Sequence, residues 1–579
     1  MASKPPEPAD TGREDDSSDL SRRQFLAGIG GAAAVAPVAG ELGQSRPPDP
    51  SGGSQRGATY GEAQIGPGGY RILAEHERAQ QQRGNEITYS NRVNAVEDLG
   101  CDPNGNEPIQ DKISSAAEDG MKIVFPPGTY LATDGVNIGV SGTFGFVGEG
   151  FQSATKPPKP DKESVVFKIQ AGGALNFLNV DGLQGGEFGN FVIDQRDPLT
   201  HGGVQVRSKG NVRVRDIRTV GAQTTRDPGD DQPGFFTPRA PGADSLIVYE
   251  RCIARGGGIP GSKNIYGSPG ISVFGREGPR GTIILKDCVI ENMADNGIYG
   301  ARTSANVRVL GGLYRNNDVS QVRVNGDAIV RGVDIVIDEK NYTGIMSKSN
   351  ALEGGPGWPA TNGLKIETKQ KISASTGTPV KNCNIVGESV VSESSVGALV
   401  NIWDTGGAVT ITNSRITNNI AGTTSIVAQN PGSGKYAAAP KPWTTTVKNS
   451  VIQGNQAGND NPAVRVRGRP RSIVKNTCLK YLNASSGDIE GAGTSGVSYG
   501  QQCKSAGLSN PGKVGSGGNI SSLPPPNVSY TGGGVSQEYK NKVREKSRQR
   551  VLSVGGAVIG FFVFMAAAIA GLVSMLGGD

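Results

Sequence analysis

One six-residue pattern recurs along the chain and restricts the fold more than any other feature. It runs apolar, variable, Asn or Asp, small, variable, apolar. It reads Leu285-Lys286-Asp287-Cys288-Val289-Ile290 and Val380-Lys381-Asn382-Cys383-Asn384-Ile385. It returns as Ile411-Thr412-Asn413-Ser414-Arg415-Ile416, Val447-Lys448-Asn449-Ser450-Val451-Ile452 and Val474-Lys475-Asn476-Thr477-Cys478-Leu479. Val309-Leu310-Gly311-Gly312-Leu313-Tyr314 fills the same slot with Gly. A repeat near 24 residues with short strands and no helices between them predicts a parallel β-solenoid, each coil burying one face against its neighbours. The Asn/Asp suits a corner that needs left-handed backbone, and the residue after it must be small because it faces inward there. Leucine-rich repeats would need regular Leu spacing, which is missing.

Composition agrees with an all-β architecture. The 579 residues include 87 Gly and 35 Pro, too many helix breakers for a helical bundle. At 35% hydrophobic and 19% charged residues the chain is too apolar for wholesale disorder. The net charge of +6 belongs mainly to one run, Lys540 to Arg550, whose six basic residues and single Glu sum to +5. The body is nearly neutral, so a nucleic-acid partner is not expected.

The two ends suggest export and anchoring. Ser21-Arg22-Arg23-Gln24-Phe25-Leu26 and the Gly/Ala-rich stretch to Ala39 match a twin-arginine export signal over residues 1–39. A linker over 40–89 follows, then the solenoid over 90–490 and a Gly/Pro/Ser-rich stalk over 491–539. The basic collar 540–550 precedes an uncharged apolar run, 551–576, long enough to span a bilayer as one C-terminal transmembrane helix. The collar lies on the flank that the positive-inside rule assigns to the cytoplasm. Export of the body puts it outside instead, against anionic head groups or an acidic envelope polymer. The expected location is the outer face of a membrane or envelope, on a cell or a virion.

The segment Val96-Glu97-Asp98-Leu99-Gly100-Cys101-Asp102-Pro103-Asn104-Gly105 reads as a strand and an Asn-Gly turn. A short amphipathic helix with Ile109, Ile113 and Ala117 on one face follows, then Phe125-Pro126-Pro127-Gly128-Thr129-Tyr130. Such a helix would plug the open end of a solenoid. This segment, with Val147-Gly148-Glu149-Gly150, resembles the N-terminal signature of the pectate-lyase superfamily of right-handed parallel β-helices. Cys101 replaces the usual Ala, and Glu107-Pro108 replaces the common Asp at the start of the helix. The resemblance implies a right-handed β-helix and contact with polysaccharide. It does not select a chemistry, because the superfamily holds lyases, hydrolases, epimerases, tailspikes and non-catalytic surface proteins, some of them trimers.

The family's hydrolases imply paired carboxylates, and its lyases imply a calcium-binding carboxylate cluster with an Arg or Lys base. No Gly-His-Gly or Asn-Thr-Asp motif is present, so no family residue carries over. Two local groups are candidates. Asp194, Arg196, Asp197 and His201 form a substrate-binding candidate, with Asp227, Asp230 and Asp231 as a calcium candidate; turn chemistry is the competing reading. Across two adjacent coils, a 24-residue offset stacks Asn292 near Asn316, Tyr299 near Arg323 and Asp295 near Asp318. Asp295, Asp318, Arg315 and Arg323 are then the catalytic candidates and Tyr299 a substrate-binding one; a corner ladder with outward polar residues is the alternative. Trp358, Trp403 and Trp443 are candidates for stacking on sugar rings or for packing.

Cys252, Cys288 and Cys383 occupy or adjoin the small inward slot and read as buried small hydrophobes. Cys478 and Cys503 are a disulfide candidate in an exported protein. Two function readings follow: a surface-anchored β-helix that binds and cleaves polysaccharide as a lyase or hydrolase, or a non-catalytic adhesion or virion-spike protein.

Overall fold

The computed structural model describes residues 87–170, 176–197, 200–223, 234–257, 269–273, 281–293, 295–342, 361–368, 377–390, 396–434, 436–455, 461–501 and 503. The expected export signal, collar and apolar run lie outside this set, as does the linker before residue 87; the first residues of the expected stalk instead continue the solenoid, Gly493–Ser495 and Ser498–Tyr499 pairing with Ile473–Lys475 and Cys478–Lys480. Among the described residues no helix is long and apolar enough to cross a membrane.

The recurring corner organises everything else. Asn190, Asp216, Asp287, Asn382, Asn413, Asn449 and Asn476 all have φ between 48° and 56°, the left-handed region that Asn and Asp tolerate best. Gly311 and Gly332 fill the same place at 69° and 65°. The next side chain turns inward, and in several coils it contacts the backbone of the corner itself. Ser450 Oγ and Thr477 Oγ1 donate to the carbonyls two residues back, at 2.9 and 3.0 Å. Cys288 and Cys383 place sulfur 3.6 and 3.4 Å from the equivalent carbonyls. Where the corner residue is Asn190, Asp216 or Gly332, the same slot instead holds the fully buried Phe191, Ile217 or Val333, so the expectation that it must be small fails in those coils. Arg251 is the odd occupant, with φ of 53°, and its guanidinium makes two 2.7 Å contacts to Asp216, the corner residue of the preceding coil.

Strands on either side of this corner form two of three parallel sheets. The first includes Thr282–Lys286, Asn306–Leu310, Ile329–Arg331 and Thr378–Lys381. The second includes Val289–Met293, Leu313–Arg315, Asp334–Asp338 and Asn384–Ser389. The third includes Ile298–Gly300, Ser320–Val324, Thr361–Ile366 and Val396–Ile402. Two 17-residue strands, Leu178–Asp194 and Val204–Val220, run continuously through all three faces and join them into one network of 36 strands. This is a parallel β-helix.

Inward side chains from successive coils stack into one continuous apolar core. Its early end is aromatic: Phe125, Phe146, Phe167, Phe177 and Phe191 pack with centroids 4.6 to 6.4 Å apart. Helix α1, Gln110–Ala116, closes that end with Ile109 and Ile113 fully buried and Ala117 against the core. The chain before it differs from expectation in two details: the strand is Asn91–Asn94, with Val96–Leu99 turning because Asn94 Oδ1 accepts from the amides of Val96 and Glu97, and Asn104-Gly105, expected as a turn, begins the strand Asn104–Pro108. At the other end Cys478 and Cys503 form a disulfide.

Candidate functional site

Alternation along the third sheet decides which side chains face outward. Ile298, Val322, Leu364 and Val400 point into the core, so Tyr299, Arg323, Lys365 and Asn401 project from the other side of the sheet in one row, where all four are buried. Two places further along each strand, Glu367 and Trp403 form a second outward row. The Arg323 guanidinium lies 4.8 Å from the Tyr299 ring centroid and reaches diagonally to Glu367, its Nε 3.0 Å from the carboxylate. Lys365 Nζ is 3.3 Å from the same carboxylate and 3.6 Å from the Trp403 ring centroid. The Arg302 guanidinium lies 5.7 Å from the Tyr299 ring centroid. Glu367 is fully buried between its two cations, whereas Trp403 and Arg302 are half-buried. The face therefore combines aromatic rings, fixed cations, a carboxylate and the Asn401 amide within a few coils.

The expected two-coil group is brought together in part. Tyr299 and Arg323 are direct cross-strand partners. Asn292 and Asn316 are both left-handed, with φ of 58° and 53°, and occupy equivalent places beyond the paired Glu291 and Arg315. Asp318 donates its backbone N–H to the Asp295 carbonyl at 3.1 Å, and both side chains are buried at the corner between the second and third sheets. Burial, reinforced by the charges of Asp295 and Glu339, pushes the Asp318 carboxyl well above the usual carboxylate range. Arg315 stands apart. It projects from the second sheet and pairs with Glu291 at 2.5 Å, which also binds Arg255 at 2.7 Å. The two arginines thus serve different buried glutamates on different sheets.

The early group is built as a turn. Asp194 holds Arg196 through two contacts, Thr200 Oγ1 donates to the carbonyls of Gln195 and Asp197, and Gln195 Oε1 accepts from the Gly202 amide. His201 is buried with its ring stacked on Phe235, centroids 6.3 Å apart, and its Nδ1 accepts from the Gly203 amide. Asp227, Asp230, Asp231 and Trp358 lie outside the described residues. Among the described residues no group of three or more His, Cys, Asp or Glu is placed to hold a metal ion. Trp443 is half-buried, its Nε1 donating to the Ala439 carbonyl at 2.7 Å.

Glu367 and Lys365 were missed by the sequence reading because the coil that carries them does not keep the 24-residue offset. Arg323 and Glu367 are 44 residues apart. The local signal is present all the same: Leu364-Lys365-Ile366-Glu367 alternates as Val322-Arg323-Val324 does.

The fold and this outer face define a solenoid protein with a polar and aromatic stripe along one sheet. No family model matches the sequence, and no curated protein matches it either. Among solved structures, the chain is similar to the A-module of the Azotobacter vinelandii mannuronan C-5 epimerase AlgE6, at 14% identity over 70% of this chain and 99% of that one, with a TM-score of 0.39. It is similar to the Agl-KA catalytic domain at 12% identity over 72% and 69%, with a TM-score of 0.43. The Streptococcus pneumoniae surface adhesin PfbA shares 12% identity over 71% and 91%, with a TM-score of 0.32. These likenesses assign no residue a role.

Proposed function

We propose that the protein is an exported β-helix, held at a membrane by residues 551–576, whose third-sheet face binds polysaccharide. The observation that carries this reading is the half-buried Trp403, set against Lys365 in a run that continues through the buried Arg323 and Tyr299 on successive coils. A sugar ring offers an apolar face for an aromatic ring and hydroxyls for fixed donors and acceptors, and a polymer offers them repeatedly along a line. A solenoid surface repeats in the same way, one coil per strand spacing. Cleavage is a second reading with one observation in its favour: Asp318 is buried beside Asp295, and burial first and that neighbour second push its carboxyl up, the direction a general acid needs.

The test is binding of the full-length protein, in detergent, to neutral and acidic polysaccharides with and without calcium. Trp403→Ala is expected to weaken binding about tenfold, the worth of one stacked ring. Equal binding by wild type and variant would remove this face from the reading. New ends absorbing in the ultraviolet would mark a lyase and new reducing ends alone a hydrolase. Either activity should disappear in Asp318→Asn if the second reading holds.

A further inference from the structure

The two ends of the solenoid are finished differently. At the N-terminal end helix α1 closes the core, with Ile109 and Ile113 fully buried. At the C-terminal end the last coil consists of the strands Ile489–Glu490, Gly493–Ser495 and Ser498–Tyr499. Among the described residues each of them pairs on one side only, with Val464–Val466, Ile473–Lys475 and Cys478–Lys480. Glu490 and all of Gly493–Ser495 are exposed, and Ala492, Val497 and Tyr499 are only partly buried against the core. The turns of this coil use glycine at positive φ, Gly491 at 73°, Gly496 at 62° and Gly500 at 93°. Short strands with one neighbour, little buried apolar surface and glycine turns define a segment that opens locally at low cost.

One covalent bond ties this coil down. Cys478 is fully buried in the preceding coil, in register between Val451 and Ser498. Its sulfur is joined to that of Cys503, 25 residues further on and just past the last strand. The Cys503 amide donates to the Gly500 carbonyl at 3.1 Å, and the Gly500 amide donates to the Leu479 carbonyl at 3.0 Å. The bridge therefore closes one full turn of the solenoid, and that turn is the terminal one.

We propose that Cys478–Cys503 is a mechanical clasp between the solenoid and residues 504–579. The clasp rests on the reading that residues 551–576 hold the protein at a membrane, because the anchor puts tension on Cys503 when the body is pulled. Without the bridge, tension enters the terminal coil at its free end and breaks its backbone hydrogen bonds one after another, as a zipper opens. With the bridge, tension passes through the two sulfurs to Cys478, and residues 479–502 carry none of it. Cys478 belongs to a coil with neighbours on both sides. Its strand pairs with Val451–Gln453 and Ser498–Tyr499, and the strand before it, Ile473–Lys475, pairs with Thr445–Lys448 and Gly493–Ser495. Peeling that coil breaks two sets of hydrogen bonds at once and draws a buried side chain out of the core. Because the bond is a disulfide, the clasp holds in an oxidising compartment and opens on reduction by a thiol.

The experiment pulls single molecules of the full-length protein, in detergent, between handles at its two termini. Oxidised wild type is compared with the same molecules in dithiothreitol and with Cys478→Ser/Cys503→Ser. Both reduced protein and variant should release a step of about 85 Å before the main rupture, the reach of a 25-residue segment at about 3.4 Å per residue. Oxidised wild type should rupture without it, since forced opening reports the barrier along the pulled path. The early step in oxidised protein, or its absence from reduced wild type, would overturn the clasp. Reduction in place keeps the test decisive if the double variant fails to fold. Flotation with liposomes of equal parts phosphatidylcholine and phosphatidylglycerol tests the anchor separately. Failure to float would overturn the proposal by removing the source of tension, whatever the traces show. Flotation without a reducible step would remove the clasp and leave the anchor standing.

Discussion

The Arg323 guanidinium is held between the Tyr299 ring, one coil earlier, and the Glu367 carboxylate, one coil later. It is 4.8 Å from the ring centroid and 3.0 Å, through Nε, from the carboxylate. Both charged side chains are buried. Removing Arg323 takes one of two cations from the buried Glu367 and leaves Lys365, 3.3 Å away, as the other.

Arg323→Met is therefore expected to cost about 3–5 kcal/mol, measured by urea unfolding. The double variant Arg323→Met/Glu367→Gln should cost less than the sum of the two singles, because the stranded charge is gone. Strict additivity in that cycle would show that the pair is not coupled.

The corner asparagines carry φ values that other side chains adopt at a penalty. Asn382→Ala and Asn413→Ala should each destabilise by about 1–2 kcal/mol, while Asn→Gly at the same places should cost less. Denaturant midpoints for the two series decide it, and indifference to Ala would mean that the corner relaxes.

Asp318 provides the pH prediction. Its carboxyl is raised in the folded chain from an ordinary value of 3.8, with burial as the first cause and Asp295 and Glu339 adding to it. The folded state then binds more protons than the unfolded one, so the stability this group contributes is complete below that ordinary value. It is lost as pH rises through the folded value. Asp318→Asn should flatten this part of the stability profile and be more stable than wild type at neutral pH. Thermal melts from pH 4 to 8 check it; a variant that follows the wild-type curve would remove Asp318 as the source.

The six cysteines should divide sharply in reactivity. Cys101, Cys252, Cys288 and Cys383 are buried thiols, and burial pushes Cys101 up to about 11 and Cys383 up to about 12. Native protein at pH 8 should show no reactive thiol, and denatured protein should show four. Cys478→Ser/Cys503→Ser should cost about 3 kcal/mol by opening a loop of 25 residues. Fewer than four thiols after denaturation would mean a second disulfide.

Much of the architecture was legible because the solenoid corner is a local object. Left-handed φ at Asn382, Asn449 and Asn476 and the carbonyl contacts of Cys383, Ser450 and Thr477 involve neighbours in sequence, so they leave a repeated pattern. The Tyr299–Arg323 pairing was legible for a related reason: between those coils the offset is constant, as the 24-residue separation of Met293 and Asn317, joined by a hydrogen bond, also shows. The separation of Arg315 from Arg323 was not legible. Eight residues apart in sequence, they stand on different sheets, and each turns to a buried glutamate of a neighbouring coil.

By itself, the sequence determined that this chain winds into parallel coils and where many of the coils turn, because those properties depend on backbone conformation and on residues a few places apart. Only the tertiary structure decided which side chains meet across coils. Insertions of unequal length between coils erase any fixed offset, so Glu367 reaches Arg323 from 44 residues away.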